Sequence, residues 1–114
     1  MSEQNSEQNS GWTGGKSAFG DFAPGIVHYT DKVLFDEVWE REGLSKRDRS
    51  LVTISALTAL GKMDQLRFHL AFARENGVTD DELEEALLQL AFYSGWPSGM
   101  GATSILKEIV ESED

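Results

Sequence analysis

From residue 30 onward the apolar residues recur at helical spacing, and no stretch alternates as a strand would. Thr30 is a candidate cap for a helix over residues 30–42, with Asp31 favoured in its first turn by the helix dipole. Its apolar stripe is Leu34, Phe35, Val38 and Trp39, and Gly43 ends it. Ser45-x-x-Asp48 resembles a capping box for a second helix, whose run from Leu51 to Leu60 is apolar nearly all round. Such a helix is expected to be covered on most sides, in part by another subunit. Gly61 stops it. A third helix is expected over 63–76, ended by Gly77. Thr79-x-x-Glu82 caps a fourth over 80–94, with Leu83, Leu87 and Leu90 inward. Gly95-Trp96-Pro97 reads as a break, followed by a last helix over 99–111 with Ile105, Leu106, Ile109 and Val110 as its stripe. The expectation is an all-α bundle of about five to six helices joined by short connections.

The first twenty residues differ. Residues 2–5 (SEQN) recur at 6–9, and four glycines follow between 11 and 20. They read as a flexible polar tail, with Trp12 and Phe19 as anchors onto a neighbour, ahead of a helical domain over 21–114. Ten Lys and Arg against twenty Asp and Glu give a net charge of −10, a field that repels phosphate backbones and anionic lipid. Neither nucleic acid nor membrane is therefore an expected partner. No apolar run approaches the length of a spanning helix, and the polar start is not that of a signal peptide. A cytoplasmic location follows as the expectation. The absence of cysteine excludes disulfides, thiolate metal sites and thiol catalysis.

Two histidines are present. His28 lies in a Pro/Gly-bounded stretch and receives no role. On a helical projection His69 falls opposite Asp64, Arg67, Arg74 and Glu75, so it faces the bundle or a covered interface. It is either a hydrogen-bonded core residue or an acid/base group tuned by partial burial. Glu37 borders the first apolar stripe and is a candidate partner; an i,i+4 ion pair with Arg41 is the plainer alternative. Arg49, in the first turn of the second helix, suits bidentate recognition of a substrate carboxylate or a structural salt bridge. The aromatic stretch Phe92, Tyr93, Trp96 and Met100 can line a pocket for a small unsaturated ligand, or form core. Five acids in the six residues 80–85 form a solvated, dipole-compatible helix start, and no metal site is expected.

FDEVWEREGLSKRDRSLVTISALTALG (35–61), LRFHLAFARENGVTDDEL (66–83) and LLQLAFYSGWP (87–97) together resemble the carboxymuconolactone decarboxylase family, the cysteine-free relatives of alkylhydroperoxidase D. The resemblance implies an all-α fold of helical hairpins associated as a trimer or hexamer, with pockets near subunit contacts. It further implies removal of carbon dioxide from 4-carboxymuconolactone or a related small unsaturated lactone acid, without metal or organic cofactor. By position, His69 matches the family's "HL" histidine and is the acid/base candidate. Glu37 matches the acid two residues before the family's Trp, here Trp39, and Arg49 matches the arginine before the "SLVT" stretch. Trp39, Tyr93, Trp96 and Met100 complete the candidate substrate-binding set. Lys62 and Gln65 stand where the peroxidase branch carries its two cysteines, so thiol peroxidase chemistry is excluded. Trp96 inside the turn and Ser98 to Gly101 after it give a larger, more apolar lining. The reading from another class is a non-catalytic helical oligomer that binds a small apolar ligand or a partner protein.

Overall fold

The computed structural model describes residues 12–113, which contain six α-helices, one π-helical segment and no strand. None of these helices is long and apolar enough to cross a membrane. The chain divides into two compact units, Met1–Ser45 and Lys46–Asp114.

In the first unit, α1 (Gly14–Phe19) and α2 (Pro24–His28) precede a π-helical segment, Tyr29–Val38. The helical stretch begins not at Thr30 but at Pro24, whose fixed φ suits a first helical position. Ala23 ahead of it has φ +53°. Thr30 therefore lies inside the helical stretch and caps nothing. From Tyr29 the winding widens, and the Trp39 amide donates to the Leu34 carbonyl, five residues back, at 2.9 Å. Asp31, Phe35 and Trp39, at i,i+4 spacing along this stretch, are buried. Leu34 and Val38, expected on the inner stripe from α-helical spacing, stay 41% and 38% exposed. Of the stretch expected to be a flexible tail, residues 1–11 lie outside the described residues. Over residues 12–20 the chain is folded: α1 donates to the Asp31 carboxylate from Gly15 N–H at 2.7 Å and Lys16 N–H at 3.0 Å.

The second unit is built of α3 (Lys46–Leu60), α4 (Met63–Glu75), α5 (Asp80–Ser94) and α6 (Trp96–Glu111). Helices α3 and α4 pack together, as do α5 and α6, and α3 also meets α5 and α6. The core is one cluster that includes Ile54, Leu66, Leu70, Leu83, Leu87 and Leu106. Within the single chain, helix α3 is covered along one stripe. Only Ser50, Ile54 and Thr58, one stripe at i,i+4 spacing, are buried, while Val52 and Leu60 are 61% and 69% exposed. Its polar residues are accommodated by back-bonding within the helix: Ser50, Thr53 and Ser55 hydroxyls donate to the carbonyls of Lys46, Arg49 and Leu51 at 2.7–2.8 Å. Asn76 Nδ2 then donates to Ser50 Oγ at 3.0 Å, tying the end of α4 to the start of α3.

Helix α5 begins where the capping box places it. Glu82 N–H donates to Thr79 Oγ1 at 3.1 Å, and Thr79 N–H donates to Glu82 Oε1 at 3.0 Å. Its inner stripe is Leu83, Leu87 and Ala91, with Leu90 only partly buried. A small residue is required at 91 because Gly99 of α6 lies against it: a Cβ on Gly99 would sit 2.5 Å from Ala91 Cβ. The break expected over residues 95–97 shrinks to Gly95 alone, at φ +106°. Helix α6 starts at Trp96, because Pro97 falls in its first turn, where a missing N–H costs nothing.

Candidate active site

Helix α4 turns Leu66, Leu70 and Ala73 into the core. His69, one residue before Leu70, falls on the edge of that stripe and is half-buried. Its ring lies edge-on to Phe68 (centroids 4.9 Å apart, 83° between planes) and to Phe72 (6.2 Å, 67°). Burial lowers its pKa, since removing the ring from water penalises the imidazolium. At neutral pH the ring is therefore neutral, with one nitrogen a donor and the other an acceptor, the form that exchanges a proton. Arg49 is half-buried in the first turns of α3, where its carbonyl accepts the Thr53 hydroxyl.

Trp96 and Met100 line one cleft. It runs between α5 and α6, has a volume of about 540 Å³ and is floored by Leu87, Leu88, Ala91 and Leu106. Trp96 packs edge-on against Phe92 at 5.4 Å and 76°. Thr103, Lys107, Glu84 and Glu111 supply the polar part of the lining, and Lys107 pairs with Glu111 at 3.5 Å. None of these four follows from an apolar-stripe reading; the signal available was their helical register with Leu87 and Leu106. Tyr93 is 82% exposed and does not line the cleft, nor does His69 or Arg49. Glu37 and Trp39 belong to the first unit. Glu37 is exposed, whereas Trp39 is buried and stacks on Phe35 with centroids 5.9 Å apart and planes at 8°.

The acidic start of α5 has structural partners. Asp80 accepts from Arg74 Nε at 2.8 Å, and Glu82 accepts from Arg47 as well as from Thr79. The Thr79 amide first, then Arg47, hold the Glu82 carboxyl below the usual carboxylate range. Asp31 is the functional-looking residue that sequence reasoning assigned only to the helix dipole. It is buried, and both its oxygens accept backbone N–H groups.

A sequence model of the carboxymuconolactone decarboxylase family matches residues 24–108, most of the chain. The chain belongs to that family. Among curated proteins, it is 42% identical over 89 residues to the 4-carboxymuconolactone decarboxylase of Acinetobacter baylyi, covering 78% of this chain and 66% of that one. It is 36% identical over 73 residues to the nitrosuccinic acid decarboxylase npaB of Metarhizium robertsii, covering 64% and 51%. An uncharacterized 15.0 kDa protein of Paracoccus denitrificans is 33% identical over 85 residues, covering 73% and 63%. The chain thus spans between half and two thirds of the length of these relatives. These 114 residues carry no cysteine.

Proposed function

We propose that the protein is a cofactor-free carboxy-lyase of the carboxymuconolactone decarboxylase type, acting by acid/base chemistry on a small unsaturated lactone acid in the cytoplasm. The observation that carries this is His69: a half-buried imidazole kept neutral by desolvation, in a family in which two of the matched relatives are decarboxylases. In the reaction the carbon–carbon bond to the carboxylate breaks, carbon dioxide leaves, and the electron pair delocalises toward the lactone carbonyl. Carbon must then gain a proton. His69 serves as the acid/base group for that transfer. Desolvation of the carboxylate favours its loss, which a shielded, apolar pocket supplies. Trp96 and Met100 offer an apolar lining of that kind.

A chain of net charge −10 repels an acidic substrate at long range, so a local cation has to capture it. Arg49 is that cation in this reading, gripping the carboxylate through its planar fork. The exposed apolar residues of α3 (Val52, Leu60) and of α5 and α6 (Leu88, Phe92, Tyr93, Trp96, Met100) support association into a trimer or hexamer. Light scattering on the eluted protein tests this, and a strict monomer would undercut it. For the chemistry, His69→Gln is expected to abolish turnover, and Arg49→Lys to raise KM more than it lowers kcat. If both variants kept wild-type turnover of the substrate, the assignment would be wrong. A second reading rests on the α5–α6 cleft, whose apolar floor suits a small apolar ligand in a non-catalytic oligomer. It predicts saturable ligand binding lost in Met100→Lys and no lyase activity.

A further inference from the structure

Asp31 is a buried carboxylate for which the reaction has no use. A buried charge persists only where hydrogen bonds compensate it, and here each oxygen takes one amide of α1. The approach is close enough to require glycine: a Cβ on Gly15 would lie 2.9 Å from Asp31 Oδ1 and 3.2 Å from Val27 Cα. This clamp accompanies a stack at the start of the described chain. Trp12 lies on the face of Phe35 with centroids 3.8 Å apart and planes at 18°, and Phe35 in turn lies parallel to Trp39. Beside the stack is a cleft of about 540 Å³ whose lining includes Trp12, Lys16, His28, Asp31 and Lys32. The Lys32 ion pair with Asp36 is loose, at 3.8 Å.

We propose that residues 12–20 form a latched strap: Asp31 holds it shut, and Trp12 occupies the face of Phe35 that a flat, unsaturated anionic ligand takes when the strap lifts. A face-on aromatic contact near 4 Å is the one such a ligand would make, and Trp12 makes it from within the chain. Lys32 and His28 are placed to meet the ligand's anionic group. The proposal does not rest on the decarboxylase reading: this ligand is distinct from the acid held at Arg49.

Two readouts need no turnover. The first is trypsin cleavage after Lys16, which follows the open population of the strap when reclosing is fast. Losing one hydrogen bond to a charged group shifts such an opening about tenfold or more. Asp31→Asn and Gly15→Ala are expected to speed cleavage after Lys16 by about that factor, with helix content otherwise unchanged. The second is binding of anilinonaphthalene sulfonate, an anionic fused-ring probe. Trp12→Ala, which leaves the clamp in place, is expected to bind it about tenfold more tightly than wild type. Unchanged cleavage in both clamp variants, or unchanged probe affinity in Trp12→Ala, would overturn the strap. Should Asp31→Asn unfold the first unit, Trp12→Ala still decides. A protein without lyase activity that shows both effects keeps the strap and loses the reaction; an active enzyme that shows neither keeps the reaction and loses the strap.

Discussion

Gly99→Ala adds one methyl group where the two helices of the α5–α6 hairpin touch. Its Cβ would sit 2.5 Å from Ala91 Cβ and 2.9 Å from Ala91 Cα. The obstacle is a methyl group and backbone, so no side-chain rotamer relieves it and the helices must part. Overpacking costs about 1–3 kcal/mol, and approaches this short to a methyl group and backbone belong to its upper part, about 2–3 kcal/mol. Against it stands the better helix propensity of alanine over glycine, about 1 kcal/mol in a helix interior. The clash is expected to win, leaving a net loss of about 1–2 kcal/mol, or about 5–15 °C in Tm for a domain of this size. Thermal unfolding should be followed at one fixed protein concentration, because association shifts apparent stability. The double variant Gly99→Ala/Ala91→Gly returns the space and should recover part of the loss, a coupling of about 0.5–3 kcal/mol. Because Ala91 and Gly99 both line the cleft with Trp96 and Met100, the same variant should weaken any ligand held there. A Gly99→Ala protein as stable as wild type, or more so, would refute the close approach and the cleft shape derived from it.

Thr58 is fully buried and its hydroxyl makes no hydrogen bond among the described residues, so Thr58→Val is expected to raise stability by about 1 kcal/mol in urea unfolding. A loss would show that the hydroxyl is engaged. Burial lowers the His69 pKa, so below the ordinary histidine value the unfolded chain binds more protons than the folded one. Stability therefore rises with pH through that window, and is lost as pH falls from about 6.5 toward the folded pKa. His69→Gln removes this component, so the wild-type urea midpoint should drop more than the variant's between neutral and mildly acidic pH. Equal drops would contradict the assignment.

The parts of the fold legible in the sequence are those decided by neighbours along the chain. Helix α5 runs over the expected 80–94 because Thr79 and Glu82 satisfy each other's amides locally. Helices α3 and α4 end at Gly61 and Gly77, which take the positive φ that follows a helix. What escaped depends on partners distant in sequence. The π winding over Tyr29–Val38 places Asp31, Phe35 and Trp39 on one face, with Asp31 meeting α1 and Phe35 meeting Trp12. Phe35 and Trp39 are inward as helical spacing predicts; the burial of Asp31 and the exposure of Leu34 and Val38 are what the spacing does not anticipate. Pro97 reads equally as a break or as a first-turn residue until the packing of Gly99 on Ala91 requires α6 to begin early. Of the candidate residues, the charged face opposite His69 indicates that it turns away from solvent, whereas its place at the edge of the inner stripe, half-buried, depends on the packing of α4. The lining of the α5–α6 cleft by Lys107, Thr103 and the two glutamates was not, because it depends on how two helices pair.

The most direct test of the central claim is carbon dioxide release from 4-carboxymuconolactone by the purified protein, set beside His69→Gln assembled to the same mass. The account predicts turnover by the wild-type protein and its loss in the variant, with folding intact in both. Release that survives in His69→Gln would contradict the role of the histidine, and no release by a correctly assembled wild-type protein would contradict the reaction itself.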